Sequence, residues 1–394
     1  MPAWRDDTGV PGCAREWFAT PPRKAPSHDP GIVLCSPRRQ RVGLRAGRRT
    51  LSRRTDDQGQ WTHRSLDVGG RPRILALVTD GASPTDDLLH RRPPGVALDW
   101  AVRSVGARAR LLSVEPFTGG MSHANHALRV LDANRKVHEV VLRRWVRPDW
   151  RETDAPFSPE QEAATFDLLA SSEVPAPRLL AADPTGRECD VPAILLTRSP
   201  GRHPARPADL ATFVRQLALA LPTIHGVDRD TARRTVPPYR PYFLDAERRP
   251  PVWTRAPTLW ERAIEVATKD APGDVTCFIH RDYHPGNTLW VAGRLTAIVD
   301  WTTASFGSPA VDVSHMRANL AMSYDGETAD AFLAAYRDIV GPSSTWQPYW
   351  DLRVGVDFLP DLPPVAPRED VIERLERFLE GALAAIGVRA GAPG

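Results

Sequence analysis

One stretch of the 394 residues concentrates side chains able to do chemistry. It runs Phe278-Ile279-His280-Arg281-Asp282-Tyr283-His284-Pro285-Gly286-Asn287-Thr288-Leu289-Trp290, followed by Leu295-Thr296-Ala297-Ile298-Val299-Asp300-Trp301. The apolar runs at its ends read as short strands, which puts the polar cluster in a loop between them. Pro285-Gly286 forces a turn that returns Asn287 toward Asp282. A tight hairpin about Ala292-Gly293 brings Asp300, at the end of the next apolar run, back to the same edge. One amide oxygen and two carboxylates at one site suit a Mg2+ ion held otherwise by phosphates and water. Each residue alone has a blander explanation. His280 and His284 could ligate zinc, but there is no H-E-x-x-H pattern and no cysteine pair nearby. Asp282 could merely stabilise its turn, and Asp300 could simply end a strand. Jointly, H-R-D-x-x-x-x-N followed by a strand ending in Asp is the layout of phosphoryl transfer.

Elements able to position these groups are legible from residue 90 onward. A short helix is expected over 97–105, then strands at Leu111–Phe117, Ala124–Val130 and His138–Arg144. Ser158-Pro159-Glu160 opens a helix through Leu169, with proline in its first turn. Apolar runs at Arg178–Ala182 and Ala193–Thr197 complete a small mixed sheet, which ends at a hinge near Ser199-Pro200-Gly201. Beyond Gly201 the pattern is helical: Leu210, Phe213, Val214, Leu217, Leu221 and Ile224 follow the 3.6-residue period, with Pro222 expected to kink or shorten that helix. Further helices are expected at Trp260–Thr268, Val311–Leu320, Ala329–Val340, Trp346–Val354 and Val371–Ile386. No internal repeat is present.

Composition excludes several other chemistries. Only three lysines occur, and none sits in a Gly-Lys-Ser/Thr phosphate loop, which removes Walker-type nucleotide hydrolases. No two glycines are separated by a single residue, so no G-x-G-x-x-G dinucleotide fingerprint exists. The four cysteines, at 13, 35, 189 and 277, form neither a zinc knuckle nor a disulfide framework, and reduced thiols in a cytoplasmic protein are expected. No apolar run reaches the roughly 20 residues of a membrane span, and no secretory signal is expected from the residues at the start of the sequence. Residues 1–73 hold 15 basic and 7 acidic groups, a net of +8, and are broken by Pro, Gly and Ser. Such a segment cannot bury enough apolar surface to offset its ordering entropy, so residues 1–85 are expected to be a disordered basic extension. A basic arm could instead touch nucleic acid, but stacking aromatics are few and no recognition motif appears; nucleic acid is not expected as a partner.

The chain resembles the aminoglycoside phosphotransferase and choline kinase family of protein-kinase-like small-molecule phosphotransferases. The resemblance rests on His280-Arg281-Asp282 through Asn287, Ile298-Val299-Asp300-Trp301 and Gly307-Ser308-Pro309-Ala310-Val311-Asp312. It extends to Thr118-Gly119-Gly120-Met121-Ser122, Val141-Leu142-Arg143, Glu162, Val174-Pro175-Ala176-Pro177 and the hinge Leu196-Thr197-Arg198, and covers roughly residues 90 to 340. It implies an α+β, two-lobed fold: residues 86–199 as an N-lobe with a small antiparallel sheet, and 200–394 as a mainly helical C-lobe. It further implies ATP in the cleft, Mg2+ on Asn287 and Asp300, and Asp282 as the group that takes the acceptor's proton. Gly119 and Gly120 would admit phosphates to backbone N–H groups, with Ser122 adding a hydroxyl or only bracing the turn. Leu196 and Arg198 would border the nucleotide. The phosphate-pairing cation would be Arg143, with Glu162 as its carboxylate partner. Arg144 is the alternative, disfavoured because Val140, Leu142 and Arg144 share the opposite face of the strand. His280 would brace the loop, and Asp312 would be an anchor or cap.

The activity so implied is transfer of the γ-phosphoryl group of ATP to a hydroxyl of a small molecule. Acidic and aromatic residues over 323–380, among them Asp325, Glu327, Asp351, Asp357 and Asp361, suggest an amine-bearing acceptor. The competing reading is a catalytically silent kinase-like binding protein. The sequence leaves the oligomeric state open.

Overall fold

The computed structural model describes residues 88–388, apart from 118–122, 154–156, 205–206, 245–247, 274 and 360–367 and the side chains of 152 and 153. The expected extension over 1–85, and the turn holding Gly119, Gly120 and Ser122, lie outside the described residues.

The first part of the fold is helix α1 (Gly95–Val105), strands β1 (Arg110–Pro116), β2 (Ala124–Leu131) and β3 (Val137–Arg144), the short α2 (Trp150–Thr153), helix α3 (Pro159–Ala170), and strands β4 (Leu179–Asp183) and β5 (Ala193–Thr197). The five strands form one sheet in the order β1-β2-β3-β5-β4. Every pairing is antiparallel, not mixed. The period-2 alternation of the strands divides its two faces. Val140 and Leu142 of β3, with Ala193 and Leu195 of β5, pack under Leu98, Trp100 and Ala101 of α1. The other face presents Ile194 and Leu196 to a core shared with Trp145 and with Phe166 of α3. Arg143 lies on this second face, which is why it can reach toward α3.

Helix α3 begins as its sequence dictates. The Ser158 hydroxyl accepts from the Gln161 N–H at 3.2 Å, and Pro159 occupies the first helical position. Its buried side carries Glu162, a charged residue among Ala163, Phe166 and Leu169. A buried charge needs a partner, and that partner proves to be Arg143.

The β4–β5 connection is organised by Asp183. Its carboxylate accepts from the N–H groups of Glu188 and Cys189, both at 2.7 Å, from Arg187 N–H and from the Thr185 hydroxyl. Burial works to raise the Asp183 carboxyl, but the bonds from Cys189, Glu188, Thr185 and Arg187 outweigh it and hold its pKa below the ordinary value. A carboxylate with a depressed folded pKa adds stability that is fully present above its unfolded pKa of about 3.9 and lost as pH falls through the folded value. Asp183→Ala is therefore expected to cost about 1–3 kcal/mol in denaturant unfolding at neutral pH. The difference from the parent protein should shrink on acidification below that range; a cost that stays constant down to acid pH would contradict the assignment.

The second part is α4 (Leu210–His225), α5 (Arg229–Thr235), α6 (Pro257–Ala267), β6 (Cys277–Ile279), β7 (Thr288–Val291), β8 (Arg294–Ile298), β9 (Ser305–Gly307), α7 (Ala310–Ser323), α8 (Gly326–Val340), α9 (Pro348–Asp357) and α10 (Glu369–Ala385). Helix α4 continues through Pro222 instead of breaking there. The proline removes the N–H that would bond Ala218 O, and the helix stops one turn later at Gly226, so it is shortened after Pro222 and not broken at it. Helix α7 is buried nearly all round, against α8, α9 and α10. Among the described residues, no single helix is long and apolar enough to cross a membrane.

Candidate active site

Strand β6 pairs antiparallel with β9, and β7 with β8, so two small ribbons frame the loop that joins β6 to β7. The β7–β8 turn is Ala292-Gly293, with φ of +48° and +77°, the primed hairpin turn that two-residue connections favour. The Gln216 side chain of α4 ties this hairpin down: its amide donates to Gly293 O and its carbonyl accepts from Leu295 N–H.

The loop itself is pinned at each residue. Asp312, fully buried on α7, accepts from the N–H of His280 at 2.9 Å and of Arg281 at 2.7 Å, and lies 3.1 Å from His225 Nε2. It is the loop anchor that the sequence reading allowed. His280 Nε2 lies 3.0 Å from Val299 O; a carbonyl only accepts, so Nε2 carries the proton and braces the loop against the chain entering Asp300. The Tyr283 hydroxyl donates to Leu217 O of α4. Residues 285–287 form one 3-10 turn, and the close approach demands glycine at 286, where a Cβ would lie 2.6 Å from His284 Cε1. Asp312→Ala removes two backbone hydrogen bonds to a charged group, at about 1.5–3 kcal/mol each, and the contact with His225 as well. It is expected to lower the melting temperature and to abolish turnover together, because the anchor and the loop are one unit; intact turnover in a destabilised variant would refute that coupling.

The turn brings Asp282 and Asn287 together as expected. Asn287 Nδ2 donates to Asp282 Oδ2 and to Asp282 O, both at 2.9 Å. Two acceptors on one side fix the amide orientation and turn Asn287 Oδ1 away as an acceptor. Val299 N–H donates to Asn287 O, which sets Asp300 next to this pair. The Asp282 side chain keeps 39% exposure and Asp300 45%, so both carboxylates are open to a ligand. Burial works to raise Asp282, but His284, then His315 and His280, hold it well below the usual carboxylate range. For Asp300 burial is likewise outweighed, by the charge and hydrogen bond of Arg143, against repulsion from Asp282. Two mutually repelling carboxylates with an amide oxygen beside them form a donor set that fits a hard divalent cation.

Arg143, not Arg144, reaches this site. Its guanidinium donates to Glu162 Oε1 at 2.6 Å and to Asp300 Oδ1 at 2.7 Å, spanning α3 and the chain after β8. Arg144 points to the other face of the sheet and pairs with Asp190. Glu162 has no exposure, and burial pushes its carboxyl up to about 7 against the pull of Arg143. Burial also opposes the charge on Arg143, yet Glu162 and Asp300 outweigh it and raise its pKa above the ordinary arginine value. The hinge residues are placed less openly. Leu196 is buried in the sheet, and the Arg198 N–H donates to Glu139 O, while its guanidinium lies 5.7 Å from the Phe117 ring centroid.

Two features escaped the sequence. Among the described residues, non-glycine residues with positive φ are Arg135, Arg281, Ala292 and Asp300; the first and third serve hairpin turns, whereas Arg281 at +71° and Asp300 at +66° flank the site. Strained backbone of this kind concentrates where geometry is over-determined by function. The other is His315 on α7, whose Nε2 lies 3.4 Å from Asp282 Oδ1. It is 33 residues from Asp282 and belongs to no spacing pattern, so only the packing of α7 under the loop reveals it. Three of the acidic groups that suggested an amine-bearing ligand are engaged within the protein. Asp325 caps α8, Asp351 pairs with the buried Arg317, and the buried Asp357 accepts from Phe243 N–H. Asp361 lies outside the described residues.

The profile of the phosphotransferase enzyme family matches residues 113–349, more than half of the chain and the whole of the site just described. The chain belongs to that family. Solved structures agree at the level of fold. A candidate aminoglycoside phosphotransferase of Ralstonia eutropha JMP134 is 16% identical, with a TM-score of 0.52 over 75% of this chain and 99% of that one. A thermostable mutant of aminoglycoside phosphotransferase APH(4)-Ia, in ternary complex with ADP and hygromycin B, is 14% identical, with a TM-score of 0.50 over 76% of this chain and 100% of that one. The two-lobed, kinase-like architecture of these phosphotransferases is thus the architecture here. Among curated proteins, the uncharacterized protein YcbJ of Bacillus subtilis is 34% identical over 142 residues, 33% of this chain. The match spans 44% of that relative's length, less than half.

Proposed function

We propose that this phosphotransferase moves the γ-phosphoryl group of ATP to a hydroxyl of a small molecule. The observation that carries the reading is the meeting of Asp282, Asn287 and Asp300 at one open edge, with Arg143 bridging Glu162 to Asp300. In this reading Asp282 orients the acceptor hydroxyl and takes its proton as the new oxygen–phosphorus bond forms. Its low pKa keeps it ionised, so the base is ready at any physiological pH. Asn287 Oδ1 and Asp300 hold Mg2+, which when bound neutralises charge on the phosphate oxygens. Arg143 pairs with phosphate from the side of α3, and its planar fork serves the carboxylates and the phosphate together. Gly119, Gly120 and Ser122 would cover the phosphates, and Leu196 and Arg198 would border the nucleotide base. We divide the lobes at residues 86–199 and 200–394. Support for nucleotide use comes from the ADP held by the APH(4)-Ia relative. Asp325, Asp351 and Asp357 are engaged within the protein, so the proposal of an amine-bearing acceptor rests on the remaining acids of that region, Glu327 among them.

The test is nucleotide consumption with Mg-ATP over a panel of aminoglycosides, amino alcohols and sugars, with Asp282→Ala as the blank. Consumption above the blank with at least one compound is expected. Binding of Mg-ATP without consumption above the blank would instead establish a silent, kinase-like binding protein.

A further inference from the structure

The main chain on either side of Asp300 is fixed from several directions. Val299 N–H donates to Asn287 O, His280 Nε2 holds Val299 O at 3.0 Å, and Trp301 Nε1 donates to Ile298 O. These contacts keep Asp300 at its φ of +66°. They do not set the rotation of its carboxyl group, a torsion with a broad, roughly two-fold preference of its own. Two side chains set that rotation, and both take the same oxygen. Arg143 Nη2 donates to Asp300 Oδ1 at 2.7 Å, and the Thr302 hydroxyl donates to that same atom at 3.1 Å. Among the described residues no donor reaches Oδ2. One oxygen is held by the protein and the other is left for a ligand.

The two donors are not equivalent. The Arg143 guanidinium sits on a long side chain and also serves Glu162 at 2.6 Å. Thr302 is buried, follows Asp300 by two residues in the same turn, and carries its hydroxyl on a short, branched stem with few rotamers. That turn is itself tied down. Ala304 N–H donates to Trp301 O at 3.1 Å, and Gln161 of α3 reaches Ala304 O at 3.5 Å. A rival role for Thr302 is to serve Glu162. Burial raises the Glu162 carboxyl, and Thr302 is among the groups acting against it. Yet Arg143 takes Glu162 Oε1, and Oε2 has no hydrogen-bond partner, so the one hydroxyl proton is directed at Asp300.

We propose that Thr302 is a positioning residue for the metal-binding carboxylate: its hydroxyl holds Asp300 Oδ1 and so leaves Oδ2 for the divalent cation. The inference rests on the phosphotransferase reading above and gives Thr302 no contact with nucleotide or acceptor. Arg143 has phosphate to pair with as well as its carboxylates, whereas Thr302 has Asp300 alone. As Arg143 shares its fork with phosphate, Thr302 is the donor that stays on Oδ1, and the carboxylate keeps its rotation.

The experiment titrates Mn2+ into the full chain by electron paramagnetic resonance, with and without the non-hydrolysable nucleotide AMP-PNP, for the parent protein, Thr302→Val and Thr302→Ser. It needs no turnover and no acceptor. Valine keeps the shape and loses the hydroxyl, while serine keeps the hydroxyl and loses the methyl. Thr302→Val is expected to weaken Mn2+ binding in the presence of AMP-PNP by roughly 10- to 100-fold, the usual cost of removing the hydrogen-bond partner of a metal ligand. Its affinity for AMP-PNP with EDTA in place of Mn2+ should match the parent, and Thr302→Ser should restore most of the Mn2+ affinity. A residue that only served Glu162 or packed the turn would lower the melting temperature without separating metal-dependent from metal-free binding. Unchanged Mn2+ affinity in folded Thr302→Val, or an equal loss of metal-free nucleotide binding, overturns the proposal and leaves the phosphotransferase reading standing. Should the valine variant not fold, Thr302→Ala against Thr302→Ser makes the same comparison. Weaker Mn2+ binding by alanine than by serine supports the role, and equal affinities overturn it. A parent protein that binds Mn2+ no more tightly with AMP-PNP than without it overturns both the role of Thr302 and the metal site on which it rests.

Discussion

Asp282→Asn is expected to lower turnover by roughly 10²–10⁴-fold, the range a positioned general base contributes, with nucleotide affinity nearly unchanged. The substitution is close to isosteric and keeps a carbonyl oxygen for the Asn287 amide, which now donates at 2.9 Å. Loop geometry and the Asp312 anchor are therefore preserved, while the proton acceptor and its charge are removed. Asp300→Ala should behave differently, weakening Mg-ATP engagement itself because Asp300 is the proposed metal carboxylate. Measuring kcat, KM and nucleotide binding for both variants separates the two roles. Retention by Asp282→Asn of more than about a tenth of parent activity, far above that general-base range, would mean that another group takes the proton.

Arg143→Met should be the most destabilising single change at the site. Glu162 has no exposure and loses the one charged partner it has at hydrogen-bond distance among the described residues, while Asp300 is released from the sheet side. Removing one member of a buried ion pair typically costs about 3–5 kcal/mol, because the other charge stays behind without compensation. The sign with pH follows from the physics of Glu162. Its carboxyl is already pushed up to about 7 with Arg143 in place, and without that cation it rises further. A raised carboxyl pKa favours the protonated folded state, so Arg143→Met should regain stability as pH falls below that value. Adding Glu162→Gln to Arg143→Met should recover much of the loss at neutral pH, a coupling that a double-mutant cycle in urea measures directly. Independent, additive costs would show that the two groups are not an ion pair in solution.

What the sequence made legible was local. The loop from His280 to Asn287, the Ala292-Gly293 hairpin and the proline-led start of α3 each follow from residues within a few positions of one another. The choice of Arg143 over Arg144 was available from strand alternation, since one face of β3 is continuous with Val140 and Leu142. Long-range partners were not legible. The Arg143–Asp300 bond joins residues 157 apart, and His315 meets Asp282 only because α7 lies under the loop. The same limit misled the reading of the acidic C-terminal region, where Asp351 was counted toward an amine-bearing ligand although it is buried against Arg317. Helix α5 was not expected because Arg229–Thr235 has almost no apolar period, and its N-terminus is fixed by the Asp228 cap.

Phosphorus NMR of the full chain with Mg-ATP and the panel of hydroxyl compounds tests the central claim most directly. The account predicts that, with at least one compound, the γ-phosphate signal is replaced by a phosphomonoester signal on that compound as ADP accumulates. The same mixture with Asp282→Asn should remain almost unchanged over the same time. Persistent ATP with the parent protein and every compound, or equal product formation by Asp282→Asn, would contradict it.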